Sequence, residues 1–600
     1  MRILYSWLAE FVDGLPGAAE LAKMLTERGV EAEVITPLAG AAGPLQAVKV
    51  QRRLPGDEAP FSYEVEGAGG KATTLASRAG NIPDGYTVLA STDAIPTLDE
   101  LGIAPVRFPL CIPEGMAKAD IEADCVIDFA VVSNRGDLLS HLGMAREAAV
   151  ASGGAVKMPQ VADAGSEPAG KDRPVIELPA PDLCPRYVGC YIGEVRIAPS
   201  PAWLAYRISL CGVAPISNIV DLSNYVLFEL GQPLHTFDRE LLHGAISARR
   251  AAVGEKFTAI NHNEYTLNDS HLVIADAKHA VAIAGIMGGV DSEISAGTKG
   301  VLLESAFFTP RNIRVSCKRI GLQSESSQRF GRGTDPTMPP RAARRFIKLA
   351  EDIGAAKYIA GSMNDANVHE PGGNAIAFDC ARINALLGSS FSDEQICGPL
   401  TSLGFTIDKT NGAMSATPPA WRHDIERWED LAEETLRVNL FDALEARQLV
   451  IPLKSGRKEI HLEFIERAED ALLRMGAQQT VSQPFISPRR AAQFHGEGHS
   501  LVALLNPDSA DQAFIPESLL PGMLAAAEHN RRHGQQPPLM LECARIFSTK
   551  PFASAEYFTQ KPGTGEFHEQ QALGLMFGDG FISPAYIAPD FSAQSPLFML

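Results

Sequence analysis

No CxxC pair occurs in the 600 residues, and the nine cysteines are scattered at Cys111, Cys125, Cys184, Cys190, Cys211, Cys317, Cys380, Cys397 and Cys543. That scatter argues against a zinc site and against a disulfide framework, and marks the cysteines as reduced, mostly buried thiols. Long apolar runs are missing too. The longest, AVAIAGIMGGV from Ala280, is too short and too glycine-rich to span a bilayer, and the N-terminus has no uninterrupted apolar signal core. The expectation is a cytoplasmic protein with no membrane contact. Positive charge is in deficit, since 53 Lys and Arg against 72 Asp and Glu leave a net charge of −19. Indiscriminate nucleic-acid binding is thereby disfavoured, and any RNA contact has to come from local basic patches. No P-loop, HExxH or GxSxG motif is present, and GIMGG alone is weak evidence for a phosphate site.

What is present is more chain than one core can use, so four or five domains are expected. In AAELAKMLTERGVEAEVI, Leu21, Met24, Leu25 and Val30 fall near helical spacing, and Gly29 suits the helix C-terminus. From 41 to 120, brief alternating segments such as LQAVKV, FSYEVE and YTVLAS predict a small β-barrel. NRGDLLSHLGMAREAAVASG is helical again, with Asp137 as the expected cap and Leu139, Leu142, Ala145 and Ala148 on one buried face. Residues 1–40 and 121–187 therefore read as one discontinuous α+β domain. A long α+β region covers 188–375, with HLVIAD and GVLLES as buried strands. A smaller unit at 376–450 has two short helices split by Gly388, the second capped near Ser392, and 455–600 is a further α+β unit.

Several polar residues stand inside apolar sequence. SNYVLFELGQPLHTFD, AGIMGGVDSE, LLESAFF and GLQSESSQRFGRGTDP contribute Ser223, Asn224, His235, Glu304, Ser324 and Ser326 as candidate site members. Glu304, between GVLL and SAFF, is expected at a strand end, where its desolvation must be met by a specific partner. Taken alone, Glu304 and His235 read more readily as structural, buried polar residues than as functional ones. WRHDIERWEDLAEE holds six carboxylates in fourteen positions, with Asp430, Glu433 and Glu434 on neighbouring turns of one helix side. A metal or a solvated face would each account for them. RAARRFIKLAED aligns Arg341, Arg344, Arg345 and Lys348 opposite Ala343, Phe346, Ile347 and Ala350, and HNRRHGQQ at 529–536 is a second basic patch. Both read as solvated faces, with phosphate contact as the alternative.

LCGVAPISNIVDLSNYVLFELGQPLHTFD, HLVIADAKHAVAIAGIMGG, LLESAFFTP and RFGRGTDP closely resemble the editing domain of bacterial phenylalanine–tRNA ligase beta subunits. The likeness continues through SNRGDLLSHLGMAREAA, TPPAWRHDIERWEDLAEE and, less closely, LLNPDSADQAFIPESLLPGML. The resemblance implies a multidomain α+β fold. Its parts are a degenerate OB-like β-barrel insert of tRNA-binding type at 41–120, an editing domain at 188–375, a small helical, winged-helix-like domain at 376–450, and an incomplete class II synthetase-like, non-catalytic antiparallel-sheet domain at 455–600. It also implies a heterotetramer of two alpha and two beta subunits acting on tRNA(Phe), with ATP used at the alpha-subunit site and proofreading on beta.

Proofreading has a physical reason, because a hydrophobic pocket rejects an added hydroxyl by only about a hundredfold. A second site holding a buried acceptor inverts the preference, since the acceptor stays unpaired when phenylalanine enters. By family position Glu304 is that acceptor. His235, Ser223 and Asn224 match positions around the ester and terminal adenosine, Gly288 leaves room beside the substrate, and Ser324 and Ser326 fall on the opposite wall. Asp424, Asp430, Glu433 and Glu434 match positions that hold Mg²⁺ jointly with alpha; Glu426 and Glu429 do not. No nucleophile–base pair is visible, so a positioned water helped by the substrate's ribose hydroxyl is the expected attacking group. The chain departs from the family in carrying Ser223 and Ser324 for threonine, Gly331 where the family has glutamate, and Pro516–Glu517 before SLLPG. It also ends before the family's anticodon-binding ferredoxin-like domain, and so reads as C-terminally truncated. The rival readings are a non-catalytic RNA-binding or assembly scaffold and a free-standing aminoacyl-tRNA deacylase.

Overall fold

The computed structural model describes residues 1–42, 45–67, 70–368, 374–410, 413–446, 448, 450–452, 456, 458–494, 501–535, 539–549 and 568–578. Most of the HEPGGN linker and the final SPLFML lie outside the described residues. The chain forms two compact units, 1–447 and 448–600. Both mix helices and sheets, which makes this a multidomain α+β protein. No helix among the described residues is long and apolar enough to cross a membrane.

In the first unit, the strand Cys125–Phe129 pairs antiparallel with both Arg2–Leu4 and Ala32–Pro37, so the two ends of the discontinuous N-terminal domain share one sheet. The helix Ala18–Glu27 runs into Gly29 at φ 82°, as the glycine predicted. Asp137 is not the cap of the next helix. The chain first makes a 3₁₀ turn, Gly136–Leu138, so the helix starts later, at His141–Ser152, and Ser140 Oγ accepts from Gly143 N at 3.0 Å. Leu139, Leu142, Ala145 and Ala148 are all buried. The segment read as a barrel contains a four-stranded antiparallel sheet in the order 72–77, 61–66, 46–53, 87–90. A bulge at Val50 and Arg52 bends it, and bridges Ala76–Ala94 and Val88–Cys111 extend it.

Two sheets build the central region. In the first, Val301–Phe307 lies between Leu234–Asp238 and Arg186–Gly193, and the latter also pairs with Lys357–Tyr358 and Asn364–Asn367. The second runs 287–288, 280–283, 272–275, 246–250, 176–177. Its last strand, Ile176–Glu177, lies before residue 188, so the region starts earlier than the sequence suggested. Alternation along the first sheet sorts its side chains between two cores. Tyr187, Phe237, Leu302 and Ala306 pack toward the second sheet. Val188, Cys190, Ile192, Val301 and Leu303 join a core that includes the helices Asn218–Leu230 and Pro339–Asp352. Every residue of Val301–Phe307 is buried as a result.

The basic helix Pro339–Asp352 is neither a solvated stripe nor a phosphate site on its arginine face. Arg341 and Arg344 donate to the carbonyls of Pro159 and Ala164 at 3.2 and 2.6 Å, and Arg345 grips both oxygens of Glu229 at 2.7 Å. Arg341 and Arg344 thus hold the extended segment 159–164 in place.

The small unit pairs Ala413–Thr417 with Ile376–Phe378 and Thr406–Thr410, beside the helices Cys380–Leu387, Asp393–Ser402 and Trp428–Asn439. Gly388 ends the first helix at φ 68° and Ser392 caps the second through a reciprocal pair with Gln395.

In the second unit, Leu539–Ser548 and His568–Phe577 form a long antiparallel pair, while Gln478–Gln479 joins it in parallel. Glu517 accepts from Ser548 Oγ at 2.9 Å, and Arg532 of the basic patch pairs with the preceding Glu528 at 2.5 Å.

Candidate functional site

Strand register brings the central polar residues together. His235 stands directly opposite Glu304, and Glu304 directly opposite Gly189 on the far strand. Residues so paired project from one face of a sheet, and Tyr187, two positions from Gly189, shares that face. Glu304 sits in the middle of its strand rather than at an end, because SAF continues the extended backbone. Its desolvation is met by a specific partner: the Tyr187 hydroxyl donates to Glu304 Oε2 at 2.8 Å, and both side chains are buried. Burial pushes the Glu304 carboxyl up to about 7, against the Tyr187 hydrogen bond that favours its charged form. The phenol of Tyr187 is pushed far above its ordinary range by burial and the neighbouring carboxylate, so it remains a donor.

A cavity of about 50 Å³ opens beside this pair, lined by His235, Gly288, Glu304, Ser326, Phe330 and Ile286 among others. A Cβ on Gly288 would lie 2.6 Å from Cε1 and Nε2 of His235, so only glycine lets the imidazole lie flat against this strand. Burial lowers the His235 pKa to about 4, which keeps the ring neutral near pH 7. Phe237 meets the ring edge-on at 4.5 Å between centroids. Gly285 turns the hairpin at φ 68°, where a Cβ would strike Phe308 and Phe330 at 2.9 Å.

Four of the sequence candidates therefore meet in one cavity: His235, Gly288, Glu304 and Ser326. Ser324 is adjacent and structural. It caps the helix Glu325–Arg332, and its Oγ donates to the Ile286 carbonyl at 2.8 Å, fixing helix to hairpin. Ser223 and Asn224, on the helix Asn218–Leu230, do not line the cavity, and Ser223 Oγ turns back to the Ile219 carbonyl at 3.3 Å. Tyr187, Gly285 and Phe330 were missed by the sequence reading. The alternation of CPRYVGCYIG could have placed Tyr187 on a buried face, but not opposite Glu304.

The acidic run resolves differently. Glu434 lies between two arginines, 2.6 Å from Arg422 Nη1 and 2.6 Å from Arg437 Nη2. Arg422 also grips Asp424 at 2.8 and 2.9 Å, and Arg437 reaches Glu147, which binds Arg135 at 2.5 Å. Arg135 in turn holds Asp137. These side chains are at most 10% exposed, so the helix of the small unit is tied to the N-terminal domain by a buried chain of alternating charges. Burial alone raises the Glu147 carboxyl, yet Arg437 and Arg135 outweigh it and take it down to about 2. Glu434 is likewise held well below the usual carboxylate range, where Arg422 and Arg437 overcome the burial penalty. Asp430 Oδ2 accepts from the backbone N–H of Glu426 and Arg427, capping the helix, and Glu433 is exposed. Among the described residues no group of three or more His, Cys, Asp or Glu is placed to hold a metal. With Asp424 and Glu434 already neutralised by arginine, Asp424, Asp430, Glu433 and Glu434 do not fit a Mg²⁺ cage within this chain.

Residues 183–355 match the B3/4 domain family, 376–439 the tRNA synthetase B5 domain, and 444–577 the phenylalanyl tRNA synthetase beta chain CLM domain. The phenylalanine–tRNA ligase beta subunit of Anaeromyxobacter dehalogenans is 33% identical, over 96% of this chain and 76% of that protein. That of Geobacter sulfurreducens is also 33% identical, over 91% and 73%. A solved N-terminal fragment of the phenylalanyl-tRNA synthetase beta subunit from Pyrococcus horikoshii aligns at a TM-score of 0.33 and 12% identity, over 73% of this chain and 99% of the fragment, too distantly to bear on the fold.

Proposed function

Because the chain belongs to the phenylalanine–tRNA ligase beta-subunit family, we propose that it works with an alpha subunit that joins phenylalanine to tRNA(Phe), and that the cavity beside Glu304 hydrolyses tyrosine mistakenly attached to that tRNA. The observation that carries the second part is one carboxylate buried in a largely apolar wall. Glu304 Oε2 is taken by Tyr187, while Oε1 accepts no hydrogen bond among the described residues. A tyrosine hydroxyl entering the cavity meets that acceptor; a phenylalanine ring leaves it unpaired at a cost of about 1–3 kcal/mol. The neutral His235 and Ser326 flank the position of the ester. The attacking group is a water held there and assisted by the substrate's ribose hydroxyl, since among the described residues no hydrogen-bonded nucleophile–base pair lines the cavity.

The same reading extends to the rest of the assembly. Two beta chains join two alpha chains in the cytoplasm, ATP serves the alpha-subunit site, and tRNA(Phe) reaches both subunits. Of the four family-matched carboxylates, Glu433 is the exposed one, and Asp430 is half-buried. The sheet within 41–120 is a reduced OB-like fold, 376–439 a winged-helix-like domain, and the second unit a class II synthetase fold turned to scaffolding.

Gly288→Ala tests the assignment with one methyl group. At 2.6 Å from the imidazole, the added carbon forces His235 out of place. The alpha–beta complex should release tyrosine from preformed tyrosyl-tRNA(Phe), and Gly288→Ala should slow that release by up to about a hundredfold, the scale of misplacement by an ångström. Retention of alpha on the tagged chain should be unchanged. Undiminished hydrolysis by the variant removes the cavity from the reaction, and failure to retain alpha in the wild type favours a free-standing deacylase.

A further inference from the structure

A second and larger cavity, about 780 Å³, adjoins the first, within the range of about 300–1,000 Å³ usual for small-ligand sites. It lies between the loop at Ser133 and Asn134 and the helices Pro310–Ile320 and Glu325–Arg332. Three cations line it, Arg314, Lys318 and Arg332, and no carboxylate does. None of the three forms an ion pair with the described residues. Arg314 donates to the Gly331 carbonyl and Arg332 to the Val131 carbonyl, neither of which neutralises a charge. In a chain of net charge −19, three cations around one cavity with no carboxylate among its lining residues make a locally positive surface.

Its position says which anion. The helix Glu325–Arg332 is the wall between the two cavities: Ser326 and Phe330 line the smaller, while Ser327, Gln328, Gly331 and Arg332 line the larger. A ligand crossing one helix from the larger cavity reaches the reacting ester. We propose that this cavity binds the phosphates of the single-stranded nucleotides just before the terminal adenosine of the tRNA, holding the acceptor end while the amino acid enters beside Glu304. The proposal rests on the editing reading of the smaller cavity. Its recognition is electrostatic and independent of base identity, because guanidinium and ammonium groups address phosphate oxygens.

The test compares two substrates with the alpha–beta complex: tyrosyl-tRNA(Phe), and tyrosyl-adenosine, which carries the ester but none of the preceding phosphates. Arg314→Gln with Lys318→Gln should raise KM for tyrosyl-tRNA(Phe) about tenfold with kcat unchanged. The slope of log(kcat/KM) on log salt should fall by about 1.4, the counterion release of two phosphate contacts to a single strand. Hydrolysis of tyrosyl-adenosine should not change, and Lys318→Arg should behave as wild type. Wild-type kinetics and salt slope in the double variant overturn the phosphate assignment, as does an equal loss on both substrates, which places the damage in the smaller cavity. A wild type that hydrolyses neither substrate overturns the editing reading instead.

Discussion

Glu304→Ala is expected to slow hydrolysis of tyrosyl-tRNA(Phe) by about ten- to a thousandfold while leaving activation of phenylalanine by the complex unchanged. The lower part of that range is the loss of a charge-assisted hydrogen bond of about 1.5–3 kcal/mol, and the upper part adds misplacement of the ring once its anchor is gone. The defect should also abolish the preference for tyrosine over phenylalanine, which a general loss of the fold would not do. His235→Ala should impair both esters with less change in preference, since the His235 ring packs against Gly288 and Phe237 and the hydrogen bond to Glu304 comes from Tyr187. Equal hydrolysis of tyrosyl-tRNA(Phe) by wild type and Glu304→Ala would end the assignment.

The preference should vary with pH, and the sign follows from the carboxyl pushed up to about 7. Below that value Glu304 is protonated and one of its oxygens becomes a donor; above it the charged form accepts from two hydroxyls, those of Tyr187 and the substrate. The ratio of tyrosyl to phenylalanyl hydrolysis should therefore rise with pH through about 7, and taking a ratio removes the common rise of ester hydrolysis with alkali. Tyr187→Phe deletes the bond that favours the charged form, so it should move that midpoint upward and lower the preference at pH 7 about three- to tenfold, in line with one hydrogen bond of about 1 kcal/mol. A midpoint unmoved in Tyr187→Phe separates the two residues functionally.

How far the sequence reveals this site depends on the range of the interactions. The strand around Glu304 is legible because VLLESAF is a local pattern, and the polar residue within it stands out. Its partner is not, since Tyr187 lies 117 residues away and only strand register sets it beside the carboxylate. The same limit governs the charges. Arg422 and Arg437 are visible beside the acidic run, but Glu147, 290 residues from Arg437, shows that the run faces a buried interface rather than solvent. The arginines of the basic helix look solvated only until the segment 159–164 is folded against them. Between Asp137 and Ser140, both good caps by composition, a single 3₁₀ turn decides. Periodicity thus locates elements and marks unusual residues, whereas compensation of a buried charge is a tertiary property.

Glu147→Gln is expected to destabilise the first unit by up to about 3 kcal/mol, below the full cost of an uncompensated buried charge because Arg135 and Arg437 each keep a second carboxylate partner. Arg135 and Arg437, both buried, each lose one of two carboxylate partners. Because a two-unit chain does not unfold in one step, the measurement is amide hydrogen exchange in the full chain, read on the helices His141–Ser152 and Trp428–Asn439. Both should lose protection together in the variant, while Leu539–Ser548 in the second unit keeps its own. Acid gives an independent check. A carboxyl lowered to about 2 contributes stability that is complete above its ordinary pKa of about 4.5 and is lost as pH falls toward 2. Wild-type protection of these helices should therefore fall across that window, and the fall should be shallower in Glu147→Gln, which has one fewer group to titrate. Chelation with EDTA should leave both proteins unchanged, since arginines rather than a metal compensate Asp424 and Glu434. Loss of protection on chelation in the isolated chain would show that these carboxylates hold an ion after all, and protection unchanged by Glu147→Gln would show that the buried charge chain is not what joins the two domains.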